Sequence, residues 1–155
     1  MAKAKSNKPT HEEFVFRTRA PSTSYGFSTQ IMRHERDAFW EHQTITFIAE
    51  CLYPDRFIGR EATVRLSGFR DQMDMKARLS GDWKPQSIGY MEAGKSRFEI
   101  NASVPLDSCW QVGAGMSAGS ITSMLLNGPV LHRGKTTLTS ISFDGPEFDP
   151  LAYIG

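Results

Sequence analysis

Segment after segment of this chain alternates apolar and polar side chains at every second position, and that regularity restricts its fold more than any other feature. Met73, Met75, Ala77 and Leu79 are separated by Asp74, Lys76 and Arg78. Phe98, Ile100, Ala102 and Val104 are separated by Glu99, Asn101 and Ser103. Ala62, Val64 and Leu66 alternate with Thr63, Arg65 and Ser67. A period of two is that of a pleated strand with one face in the core, whereas a helix repeats every 3.6 residues. These segments read as half-exposed antiparallel strands.

A longer strand runs from Trp40 to Tyr53, with Ile45, Phe47, Ala49, Cys51 and Tyr53 in one apolar row. Pro54 and Asp55 stop it, and Gly59 turns the chain into the next strand. Glu13–Arg19 reads as an N-terminal strand carrying Phe14 and Phe16 into the core. Pro21–Gln30, rich in Ser and Thr, reads as a loop, and Ile31–Phe39 has no clear period. Ile88 and Tyr90 begin another strand, which Ala93–Ser96 turns into Phe98–Val104. After Pro105 the period changes. Asp107 is a good N-cap, Cys109, Val112 and Met116 follow at spacings of three and four, and Gly119 is a stop. Ile121–Leu126 and Thr136–Phe143 close the chain as strands, with turns expected at Asn127-Gly128-Pro129 and His132-Arg133-Gly134. The sum is a mainly β chain of about eight strands, an antiparallel sandwich or partly open barrel, with one short helix near residues 107–118.

With 155 residues the chain fits one domain. Lys3, Lys5 and Lys8 stand without an acid in the first ten residues, so 1–10 reads as a flexible basic tail and 11–155 as a single β-rich domain. The net charge of +1 supplies no global field toward nucleic acid or an anionic membrane. Cys51 and Cys109 fall in apolar phases and read as small buried hydrophobes in a reducing compartment. The start of the chain lacks the apolar segment of a secretory signal, so a cytoplasmic location is expected. Ser108–Leu131 carries no charge, but Ser, Thr, Gln, Asn, Gly and Pro fill about half of it. It reads as a close-packed core or an interface, not as a membrane span.

Gly89-Tyr-Met-Glu-Ala-Gly94-Lys95-Ser96 matches the spacing of a phosphate-cradling loop. That chemistry needs a helix after the lysine, so that its N-terminus faces the phosphates. Here a period-two segment follows, and the motif reads as a hairpin turn. Gly134-Lys135-Thr136 fails more plainly, since the nearest upstream glycine, Gly128, lies one residue too far away and the following residues again alternate. His34, Glu35, Arg36, Asp37, Glu41 and His42 form the only His/carboxylate cluster. Their spacing matches no standard metal site, so a polar segment leading into the long strand is expected, with no metal or other cofactor. Cys109 sits where a helix N-terminus would lower a thiol pKa, but it shares an apolar stripe with Val112 and Met116 and reads as core.

A diffuse candidate is left. Arg65, Lys76 and Arg78 lie on polar strand faces, while Phe69, Trp83, Lys84, Lys95 and Arg97 occupy adjacent turns or strand ends. Basic residues interleaved with aromatics on a small barrel hold single-stranded nucleic acid. Glu61, Asp71, Asp74, Asp82, Glu92 and Glu99 are interspersed in the same region, the pattern of a solvated face. The leading expectation is therefore a non-enzymatic β module that binds another macromolecule or copies of itself. A barrel binding single-stranded nucleic acid through Arg65, Lys76, Arg78, Trp83, Lys84 and Arg97 comes second. A small enzyme using the His34–His42 segment, metal-dependent or not, comes third.

Overall fold

The computed structural model describes residues 10–19, 21–28, 40–69, 87–147, 149 and 152. Its elements are β1 (His11–Thr18), β2 (Ser22–Ser28), β3 (Trp40–Tyr53), β4 (Glu61–Phe69), β5 (Gly89–Ala93), β6 (Arg97–Pro105), α1 (Leu106–Ser117), β7 (Ser123–Pro129), β8 (Lys135–Leu138) and β9 (Ser140–Asp144). A short 3-10 turn, Asp55–Phe57, lies between β3 and β4. The strands form one sheet in the order β8-β5-β6-β4-β3-β1-β7-β9, and β2 pairs with β3 beside β1. Curled on itself, this sheet makes a nearly closed barrel with one helix.

The alternation maps directly onto the two faces of the wall. Paired residues in register place Ile45, Leu66 and Ala102 in one inward row, and Phe47, Val64, Ile100 and Met91 in the next. Ala49, Ala62 and Phe98 form a third. All are buried. Phe14 and Phe16 reach the same core from β1, each edge-on to the Phe98 ring at centroid distances of 6.2 and 5.8 Å. Aromatic edge-to-face pairs add about 0.5–1.5 kcal/mol each beyond their burial.

The ends of the barrel are covered from opposite directions along β6. At its start, Phe57 from the 3-10 turn stacks on Phe14 and meets Phe98 at 5.1 Å, beneath the guanidinium groups of Arg56 and Arg60. At its end, α1 buries Leu106, Cys109, Val112, Gly113 and Met116. Gly68 on β4 admits this helix, since a Cβ there would lie 2.6 Å from Cys109 Cβ. The helix stops as expected at Gly119, whose φ of 73° lets Ser120 N–H reach the Gly115 carbonyl at 2.9 Å. Its start differs from expectation. Pro105 is the N-cap and Asp107 lies in the first turn, where a carboxylate favours the helix dipole without capping.

Other departures from the sequence reading share one cause, pairing between distant residues. β4 and β6 run parallel, because β5 and β6 form a hairpin that returns β6 alongside β4 in the same direction. Ser22–Ser28, expected as a loop, is a strand because β3 is long enough to pair with β1 at one end and β2 at the other. Asn127-Gly128-Pro129, expected as a turn, continues β7. Gly128 is buried there, and a Cβ would lie 2.3 Å from the Thr137 carbonyl oxygen, so glycine lets β8 close against β7. Thr136–Phe143 is two strands on opposite edges of the sheet, with Thr139 N–H bonded to the Asn127 carbonyl at the switch. The expected strand Met73–Leu79 lies outside the described residues.

The uncharged stretch divides between α1 and β7, where Cys109, Val112, Met116, Met124 and Leu126 are core. No helix among the described residues is long and apolar enough to cross a membrane.

Candidate functional site

The outer face of the wall is best read row by row. Thr46, Arg65, Asn101, Tyr90 and Thr137 are neighbours across β3-β4-β6-β5-β8. The next row is Ile48, Thr63, Glu99, Glu92 and Lys135. Beyond it come Glu50, Glu61 and Arg97. Arg65 and Arg97 therefore share this face but not one site. Each lies beside the residue four positions from the other, about 13 Å along the strand, and the Thr63–Glu99 row intervenes. Lys76, Arg78, Trp83 and Lys84 lie outside the described residues, so the structure brings only Arg65 and Arg97 of that set onto a common surface. Lys95 stands exposed on the β5–β6 turn.

The β5–β8 end of this face carries a groove. β5 is pressed against β6 by Gly89, where a Cβ would lie 2.0 Å from the Asn101 carbonyl oxygen. Met91 then points into the core, and Tyr90 and Glu92 point out. Tyr90 is 51% exposed. The β7–β8 connection ends in a two-residue turn closed by mutual backbone hydrogen bonds between His132 and Lys135. Arg133 and Gly134 take φ of 51° and 79° there, the primed geometry that suits hairpin twist. Arginine enters the left-handed region at a steric penalty that Asn or Gly would largely avoid. The connection leaves Val130 38% exposed beside Pro129. Together Tyr90, Glu92, Pro129, Val130, His132, Arg133 and Lys135 line an open groove of about 770 Å³.

The charges on this wall differ from place to place. Glu50 stands directly opposite Glu61, and Arg19 reaches both, at 3.8 and 3.4 Å. Glu92 stands directly opposite Glu99. Lys135 pairs with Glu92 at 3.2 Å. Glu99 is exposed and makes no ion pair among the described residues. Like charges placed directly across a strand pair are unfavourable.

The two glycine-lysine motifs resolve as turns. Gly89–Ser96 is the β5–β6 hairpin, with Gly94 N–H bonded to the Arg97 carbonyl. Gly134-Lys135-Thr136 is a turn entering β8. Of the His/carboxylate cluster, Glu41 and His42 lie on β3, and His34, Glu35, Arg36 and Asp37 are outside the described residues. No group of three potential metal-ligating side chains gathers among the described residues. Cys51 and Cys109 are free and fully buried. Burial pushes the Cys51 thiol from 9.0 up to about 11 and raises Cys109 as well, so both are held as thiols and not as nucleophilic thiolates.

Tyr90, Val130 and Arg133 escaped the sequence reading as site residues. Tyr90 had a readable signal, a large aromatic in the outward phase of its strand. Val130 and Arg133 had none, because their neighbourhood is created by β8 folding back on β5. No protein-family model, curated protein or solved structure matches this chain.

Proposed function

We propose that this chain is a non-enzymatic β module that docks a macromolecular partner on the outer face of β5 and β8. The observation that carries the reading is the groove with Tyr90 and Val130 exposed in its walls, among Glu92, Arg133 and Lys135. Exposed aromatic and aliphatic anchors inside a charged rim are the usual anatomy of a binding surface. The chemistry of the wall favours a protein over a polyanion. Glu50, Glu61, Glu92 and Glu99 all lie on it and oppose a phosphate backbone approaching Arg65 and Arg97.

Site-specific photo-cross-linking tests this. A benzophenone side chain at position 90 is expected to yield one discrete adduct in extract, absent when Val130→Asp is added. The same probe at Thr63, on the same wall but away from the groove, is expected to yield none. Equal labelling from the two positions, or none from position 90, would remove the reading.

A further inference from the structure

We infer that the partner seated on this face is a second copy of the chain, related by a two-fold axis running along β5. The inference rests on the docking reading above and names its occupant. Two neighbouring rows cross β6, β5 and β8: Glu99–Glu92–Lys135 and Asn101–Tyr90–Thr137. A two-fold axis lying in the contact plane along β5 sets β5 against β5 and brings β6 of each copy over β8 of the other. Lys135 of one copy then meets Glu99 of the other, and by symmetry the same pair forms twice. Thr137 meets Asn101, a hydroxyl against an amide that can donate or accept. Tyr90 meets Tyr90, each ring entering the groove between Tyr90 and Val130 of the opposite copy.

The charge pattern is what selects a copy of this chain over another protein. The row is acidic on β6 and basic on β8, at equal distances from β5, which is the condition for a patch to complement itself about that strand. Among the described residues the row holds two glutamates and one lysine. Lys135 serves Glu92, while Glu99 stands beside Glu92 with no cation of its own among the described residues. The second copy brings its Lys135 to Glu99, while Glu92 faces Glu92 of the other copy across the axis and keeps Lys135 of its own chain, so two Glu99–Lys135 contacts outweigh one like-charge contact. The aromatic ring exposed on the axis provides the apolar centre, and the two ion pairs set the register.

Sedimentation equilibrium and light scattering from about 5 to about 500 µM protein decide the matter. The expected result is a concentration-dependent dimer that loosens as salt rises. Tyr90→Asp is expected to weaken it by at least tenfold. Lys135→Glu and Glu99→Lys each place like charges at both symmetric contacts and are each expected to weaken it by about tenfold or more. Mixing these two variants restores opposite charges at both contacts, so the heterodimer should return to within a few-fold of the wild-type affinity. That recovery also controls for folding, since an unfolded variant cannot be rescued by its complement. A monomer across the whole range overturns the inference, as does a dimer indifferent to Tyr90→Asp, or two charge variants that fail to recover when mixed. The docking reading fails separately. A monomer that still forms the adduct from position 90 loses the self-pairing and keeps the docking face.

Discussion

Among its described residues the barrel wall has two pairs of glutamates set directly across neighbouring strands, and the chain treats them differently. Glu50 and Glu61, on β3 and β4, are bridged together by Arg19, and Arg97 is the next neighbour of Glu61 in the same row. Among the described residues, Glu92 and Glu99, on β5 and β6, have one lysine between them, and it sits on Glu92. The inward sides beneath the two pairs are alike, with Ala49 and Ala62 under one and Met91, Phe98 and Ile100 under the other, all buried. The difference is thus confined to the solvent side. It teaches that a wall held together by its interior tolerates like charges side by side on its exterior, with unequal compensation among the described residues.

The largest expected effect removes the interior that both regions share. Phe98→Ala deletes the ring touched by Phe14, Phe16 and Phe57, and should cost about 3–5 kcal/mol in denaturant unfolding. A smaller loss would mean that the two regions do not rest on one core.

Next comes an alkaline effect that acts beneath the first pair only. Because the Cys51 thiol rises from 9.0 to about 11 on burial, the unfolded chain releases that proton first. Between about pH 9 and about pH 11 the unfolded state binds fewer protons, so stability falls as pH rises, by up to roughly 2–3 kcal/mol at about 1.36 kcal/mol per pH unit. Below about pH 9 both states hold the proton and the contribution is flat. Comparing pH–stability curves of the wild type and Cys51→Ala checks this; parallel curves above pH 9 would remove it.

Arg19→Ala should make the first pair resemble the second. The ion pairs are exposed, so the expected loss is about 0.5–1 kcal/mol, shrinking as salt rises. The smallest effect is at the second pair. Glu99→Gln relieves the repulsion from Glu92 and should stabilise the monomer by about 0.2–0.5 kcal/mol. Opposite signs for these two substitutions in thermal unfolding would sharpen the contrast, and equal signs would erase it.

Much of the wall was legible because strand alternation is a local property. The end of β3 at Tyr53 emerges from residue order alone, since the apolar row from Ile45 is unbroken and Pro54 ends it. The hairpin at Gly94-Lys95-Ser96 was legible for the same reason, as alternating residues after the lysine exclude a phosphate-binding helix. Ser22–Ser28 was not legible. Tyr25 and Phe27 share one phase, but two aromatics among Ser, Thr and Gly are too short a row to mark a strand, and β3 supplies the edge that makes it one. Gly128 likewise looked like turn punctuation until the Thr137 carbonyl was found where its Cβ would stand. The groove was the least legible feature, since Tyr90 and Val130 are forty residues apart in sequence.

Residue order by itself determined which side chains point inward, where the helix stops at Gly119, and which two cysteines are buried. Those outcomes depend on pleat geometry, helix period and the conformational freedom of glycine, all set within a few residues. Tertiary structure alone decided that β4 and β6 run parallel, that β8 closes on β7, and that Glu92 stands beside Glu99 with Lys135 on its other side. Those are matters of which strands share hydrogen bonds, and a strand's backbone donors and acceptors are the same whatever its side chains, so no local pattern names the partner.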